Sequence, residues 1–229
     1  MKIAMWSGPR NLSTAMMYAF GNRKDFKVWD EPFYAAYLAE TGIDHPMRQE
    51  ILATYETDDC AVSNSIQDEK GSLFLKLMSF HMRPGFSFSW ADECVHIHLI
   101  RHPARVIASY VEKRERPNLT DIGFEHQAEL YQRFPGPVVD SFDIRSDPMR
   151  TLGKLCAEIE LPFDLKMLSW APGPKPFDGL WAEHWYDAVH RSAGFSGPEG
   201  AIPELDEASA DLMQAALPFY EDLRAKALS

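Results

Sequence analysis

The chain has 229 residues and carries 23 Lys+Arg against 34 Asp+Glu, a formal charge of −11. That length suits one α/β core, and 45% hydrophobic with 25% charged residues excludes a disordered, collagen-like or membrane-embedded chain. A pI near 5.2 with no long Lys/Arg run disfavours nucleic acid or an anionic membrane as partner, so an anionic ligand has to be held locally.

In chain order, Ile3–Trp6 is a short apolar run that stops at Ser7-Gly8-Pro9-Arg10-Asn11 and is followed by Thr14–Phe20, which reads as strand, loop and helix. Ser13 or Thr14 is expected to cap that helix, and Gly21-Asn22 to end it. Phe26–Trp29 predicts a second strand, with Asp30-Glu31-Pro32 placing carboxylates at its C-terminal edge. Tyr34 to Asp58 reads as a helical excursion broken by Gly42 and Pro46. Ser72–Met78 and Cys94–Ile100 are strand candidates, the latter running into Arg101-His102-Pro103 and a helix from Pro103 to about Arg116. A helix over Asp121–Phe134, a strand over Val138–Phe142 and a helix over Met149–Ile159 follow. Leu161–Pro203 is broken by Pro172, Pro174, Pro176 and Pro198, with a helix over Asp178–His190; a last helix spans Asp206–Lys226, with Pro218 as a kink. Strands alternating with helices imply a three-layer α/β fold, a mainly parallel sheet of about five strands covered on both faces. The expectation is a single domain, residues 1–229, with irregular lid-like segments around 34–58 and 170–203.

Cys60, Cys94 and Cys156 are odd in number and far apart, with no Cys-x-x-Cys, which points to a reducing, cytoplasmic setting. The apolar run at Met1–Arg10 is too short for a signal peptide, and no stretch approaches the roughly 18 apolar residues of a membrane span. His96 and His98 alternate on one strand with His102 beyond. Without a carboxylate or Cys at ligand spacing they do not read as a metal site. Trp181, Trp185 and Tyr186 read as packing, and the acidic stretch Glu204–Asp211 as a solvated face.

Two segments suit an anion. The first strand-loop-helix offers helix N-terminal N–H groups, the cation of Arg10 and the hydroxyls of Ser13 and Thr14. It is neither Gly-x-x-x-x-Gly-Lys-Ser/Thr nor Gly-x-Gly-x-x-Gly, and by itself fits an ordinary βα turn equally well. The second, Arg101–Tyr110, puts a guanidinium at a strand end and the Ser109 hydroxyl a little over two helical turns on, so that the two can grip one phosphate.

These paired segments resemble those of sulfotransferases that use 3′-phosphoadenosine-5′-phosphosulfate (PAPS), whose fold is P-loop NTPase-like. The family's Pro-Lys-Ser-Gly-Thr-Thr loop corresponds to Pro9-Arg10-Asn11-Leu12-Ser13-Thr14, and its Arg-Asn-Pro…Ser-Tyr motif to Arg101, Pro103, Ser109 and Tyr110. The resemblance implies that Arg10 replaces the loop lysine, that Pro9–Thr14 hold the 5′-phosphosulfate, and that Arg101 and Ser109 bind the 3′-phosphate. The family's closing Arg-Lys-Gly segment is missing; Arg191 and Gly194 are the nearest substitute. Sulfuryl transfer needs an acceptor, a base and cations beside the leaving phosphate oxygen, with no metal. Glu31, in a Glu-Pro-Phe segment resembling one that supplies a catalytic glutamate in bacterial and heparan-type members, is favoured as base over His81. Ordinary roles for the two are a helix-capping carboxylate and an exposed loop histidine. Cytosolic members place a histidine two residues after a lysine on the third strand, where Lys76-Leu77-Met78 has Met. The expected reaction is transfer to a hydroxyl or amine of a small, neutral or cationic acceptor bordered by Tyr34–Tyr55 and Pro172–Trp185, releasing 3′-phosphoadenosine-5′-phosphate. The alternatives are a nucleotide kinase or nucleoside-triphosphatase on the same fold, which would need Mg²⁺ and a loop lysine, and a non-catalytic nucleotide-binding relative.

Overall fold

A computed structural model describes residues 1–112 and 117–228. Five strands, β1 (Lys2–Ser7), β2 (Phe26–Asp30), β3 (Ser72–Met78), β4 (Cys94–Ile100) and β5 (Val138–Asp140), form one parallel sheet in the order β2-β3-β1-β4-β5. The expected α/β architecture is therefore present. Ile3–Trp6, Leu73–Leu75 and Ile97–Ile100 are buried on both faces, which is why these strands read as apolar runs and not as alternating ones.

Twelve helices connect and cover the strands among the described residues. Helix α1 (Ser13–Gly21) follows β1 and buries every residue from Ala15 to Phe20; Phe20 stacks on Phe74 of β3 with ring centroids 4.1 Å apart. Between β2 and β3 run α2 (Tyr34–Thr41), α3 (Arg48–Thr54) and α4 (Asp59–Asp68), and between β4 and β5 run α5 (Pro103–Val111), α6 (Leu119–Ile122) and α7 (Phe124–Arg133). Then follow α8 (Ser141–Ser146), α9 (Pro148–Glu158), α10 (Ala182–Trp185), α11 (Asp187–His190) and α12 (Glu207–Arg224). One apolar core lies around α1, and another packs Trp6, Leu75 and Trp90 beneath α4 and α7. Among the described residues no helix is long and apolar enough to cross a membrane.

Several expectations are corrected. Neither Ser13 nor Thr14 caps α1; the cap position is Leu12, in the left-handed region at φ 72° with no side-chain hydrogen bond. Helix α4 begins where the helical excursion was expected to end, with the Asp58 carboxylate accepting from Cys60 N. The last expected strand stops at Asp140, whose carboxylate accepts from Phe142 N and starts α8. Gly123, at φ 71°, divides the helix expected over 121–134, and the one expected over 178–190 is two single turns, α10 and α11. Of the helix expected to Arg116, residues 113–116 lie outside the described ones.

The strand order fixes where a ligand can sit. From β1 the chain crosses toward β3 and β2, whereas from β4 it crosses toward β5, so the C-terminal ends of β1 and β4 flank a topological switch point. Ser7 lies level with Met78 on one side and Leu99 on the other, which brings three strand ends to one edge.

Candidate active site

The loop after β1 is held open by a chain of polar contacts. Gln127, buried on α7, accepts from Gly8 N at 3.1 Å and donates to the carbonyls of Leu99 (2.8 Å) and Trp6 (3.2 Å). Asn11 donates to the same Leu99 carbonyl at 3.2 Å. Gly8 leaves no room for a side chain, since a Cβ there would stand 2.7 Å from the Ile122 carbonyl oxygen. Arg10 and Leu12 adopt φ of 59° and 72°, conformations that L-residues occupy at a cost and that neighbouring contacts have to enforce. The free N–H groups of the first turn of α1 consequently open onto a cavity of about 350 Å³ lined by Pro9 through Thr14.

The second anion segment meets the first directly. Arg10 Nε donates to Ser109 Oγ at 2.9 Å, and Arg101 Nη1 donates to the Arg10 carbonyl at 2.8 Å. Burial and the adjacent Arg101 guanidinium both lower the Arg10 pKa from its ordinary value. Two stretches separated by about ninety residues in sequence thus form one basic wall. Pro103 opens α5 and the His102 ring accepts from Ala104 N at 3.2 Å, so this histidine serves as a helix cap.

At the other end of the cavity a second cluster surrounds Lys76, the one charged residue of the otherwise apolar β3. Its ammonium is 1% exposed and donates to Asp30 (3.0 Å), Glu31 (2.5 Å) and the Tyr186 hydroxyl. Tyr186 in turn donates to Asp30 at 2.8 Å and accepts from Trp181 Nε1 at 3.1 Å. Glu31 is held at φ 45° between β2 and α2, with its N–H on the Lys76 carbonyl at 2.9 Å. Burial pushes the Glu31 carboxyl above the usual carboxylate range, against the opposing pull of Lys76. His81, in a short turn after β3, is buried between Tyr34 and Tyr37, each ring centroid 4.7 Å away, and its Nδ1 lies 3.8 Å from Glu31 Oε2. Burial, with the charges of His45 and Lys76, holds its imidazole well below the ordinary value, so it is neutral at pH 7. Neither ordinary role fits: Glu31 caps no helix, since Phe33 stands at the cap of α2, and His81 is not exposed.

Most residues singled out in the sequence therefore converge. Pro9 through Thr14, Glu31, His81, Arg101, Ser109 and Gly194 all line the cavity, whereas Arg191 is exposed and outside the lining. Asp30 and Lys76 were noted only for their places on the strands, Tyr186 was read as packing, and Arg105 and Arg145 were assigned no role. A lysine inside an apolar strand was the available signal for Lys76; nothing local marks Arg145, which α8 alone brings in. His96 accepts from Trp6 Nε1 at 2.9 Å and its Nε2 lies 3.0 Å from the Ala91 carbonyl, whereas His98 bonds the Phe134 carbonyl at 2.9 Å through Nε2 and, among the described residues, has no partner for its buried Nδ1; both are core histidines.

A sulfotransferase-domain family model matches residues 1–227, and the chain belongs to that family of transferases. Two proteins of Arabidopsis thaliana, branched-chain-amino-acid aminotransferase-like protein 2 and protein 1, are each 36% identical to it over 230 residues. The match covers 97% of this chain and 41% of each relative, so the chain spans about two-fifths of their length. A sulfotransferase domain from the curacin biosynthetic pathway shares the fold, with a TM-score of 0.58 over 94% of this chain and 96% of its own, at 15% identity.

Proposed function

We propose that the protein transfers a sulfuryl group from PAPS to a hydroxyl or amine of a small acceptor. The observation that carries this reading is the Arg10–Ser109 contact, which fuses the two anion segments into one wall at the switch point. A nucleotide with phosphates at both ends of its ribose matches a wall with two anion seats; a simple 5′-nucleotide uses only one.

The donor supplies an activated sulfuryl group on a phosphate leaving group. The Arg10 side chain and the first-turn N–H groups of α1 take up the charge that grows on that leaving oxygen. Arg101 and Ser109 bind the 3′-phosphate. Glu31 takes the acceptor's proton, and its burial makes it a stronger base than an exposed carboxylate. Lys76 fixes Glu31 and keeps it ionised in a dry site, and neutral His81 faces its second oxygen. Tyr34, Phe80 and Trp185 line the cavity beside Glu31, surroundings that suit a small, largely uncharged acceptor.

Calorimetric titration tests the donor. Adenosine 3′,5′-bisphosphate is expected to bind at least about tenfold tighter than AMP, and Arg101→Ala to remove the difference. Equal binding of the two nucleotides to the unaltered protein would reject the reading.

A further inference from the structure

Arg101 does not stand alone in its seat. Its Nε and Nη2 donate to Glu199 Oε1 at 2.9 and 2.5 Å, Arg145 Nη1 reaches the same oxygen at 3.2 Å, and Arg105 Nε lies 3.0 Å from Oε2. Three guanidiniums from the end of β4, from α5 and from α8 thus close on one carboxylate whose side chain is 1% exposed. One carboxylate charge against three cations leaves two in excess, with Arg10 adjoining through Ser109. Gathering like charges in a half-buried site is unfavourable unless an anion compensates them, and a single carboxylate does so incompletely. A phosphate monoester brings up to two charges and three oxygens to the same forks.

The carboxylate is delivered by a weakly held strap. Residues 196–203 form no helix or strand. Among the described residues, the hydrogen bonds that hold this strap come from the same arginines, Arg145 Nε to the Gly197 carbonyl at 2.9 Å and Arg105 to the Gly200 carbonyl, besides those to Glu199. Apart from these contacts the strap is largely exposed, with Ile202 48% accessible. A segment whose hydrogen bonds, one side chain and two carbonyls, all go to three arginines can be released by an anion that competes for those arginines.

We infer that Glu199 occupies a phosphate-monoester seat made by Arg101, Arg105 and Arg145, and that the ligand's phosphate displaces it and frees the strap. The inference rests on the donor reading only in taking that monoester to be the donor's 3′-phosphate. Ligand affinity is reduced by whatever fraction of molecules has the seat filled by Glu199, so removing the internal competitor tightens binding.

The test compares the wild type with Glu199→Gln, which keeps shape and removes charge. Calorimetry with adenosine 3′,5′-bisphosphate, AMP and inorganic phosphate is combined with limited proteolysis by proteinase K, with cleavage within residues 196–203 followed by mass spectrometry. The expected result is about tenfold tighter bisphosphate binding by the variant, AMP affinity unchanged within about twofold, and faster cleavage of the strap in wild type on adding bisphosphate. Affinities for bisphosphate and for inorganic phosphate that are both equal or weaker in the variant overturn the inference, because Glu199 then acts as a structural counter-ion. If neither protein prefers bisphosphate to AMP while Glu199→Gln binds inorganic phosphate more tightly, the donor reading falls and the exchange of Glu199 for phosphate stands. Should the variant fail to fold, wild-type proteolysis decides alone: a strap cleaved no faster at saturating bisphosphate overturns the inference.

Discussion

As the proposed base, Glu31 has to meet three demands with one side chain. It must be buried to be basic, ionised to accept a proton, and held still in a backbone conformation that glutamate disfavours. Lys76 meets the second demand and the flanking hydrogen bonds the third. Glu31→Gln should lower kcat by about 10²- to 10⁴-fold while the affinity for adenosine 3′,5′-bisphosphate stays within about twofold, a split read by steady-state kinetics beside calorimetry. His81→Asn should cost less than about tenfold; a larger loss than that of Glu31→Gln would exchange their roles. The base works deprotonated, so the rate falls as pH falls through the raised Glu31 value. Lys76→Met removes the charge that draws that value down and should move the acid limb of the kcat/KM profile to higher pH. Glu31 was legible in the sequence because Glu-Pro-Phe at a strand end is a local pattern. Its partners were not: Tyr186, read as packing, reaches Lys76 across a separation of 110 residues, which only the fold specifies.

At the scale of elements, periodicity and turn chemistry located the five strands and several of the helices that wrap them, α1, α5, α9 and α12 among them but not α4 or α8, because apolar strands and an apolar α1 announce themselves locally. The errors fall where a side chain or a special backbone angle overrides the pattern. Asp140 terminates β5 two residues before the expected end of the strand, and Leu12 starts α1 without the hydroxyl cap that Ser13 and Thr14 suggested. The same left-handed geometry without a ligand to explain it occurs at Glu160, φ 54°, an exposed residue just past α9. There Leu161 N closes on the Cys156 carbonyl at 2.8 Å in the pattern that normally ends on glycine. Glu160→Gly should therefore stabilise the protein by about 1 kcal/mol, the strain relieved outweighing the entropy added to the unfolded chain. Thermal denaturation should show Tm raised by about 2–4 °C with the kinetics unchanged. At Arg10 and Leu12 the same strain sits in the loop of the proposed donor site, whose shape depends on it.

For the whole molecule, the charge of −11 argues against extended polyanions held by surface charge, but it says little about a pocket in which Arg10, Arg101, Arg105 and Arg145 converge. Nor does net charge predict how the fold responds to acid, because buried groups dominate that response. Burial holds His81, His96, His98 and His102 below the ordinary imidazole value, His98 to about 4. Burial raises the carboxyls of Glu31 and Asp140. The two sets act with opposite sign. A histidine depressed in the fold binds its proton in the unfolded chain first, so its contribution is complete above pH 6.5 and is lost as pH falls toward the folded value. The raised carboxyls favour the fold as pH falls, but only from their own raised values downward. His98 is fully buried on β4, with Nε2 on the Phe134 carbonyl at 2.9 Å, and it alone should cost about 2 kcal/mol of stability between about pH 7 and 5. In His98→Gln the amide can still donate to Phe134 and has no proton to gain. Urea unfolding at the two pH values should show the wild type losing about 2 kcal/mol more than this variant; parallel losses would mean that the β4 core admits the charged imidazole.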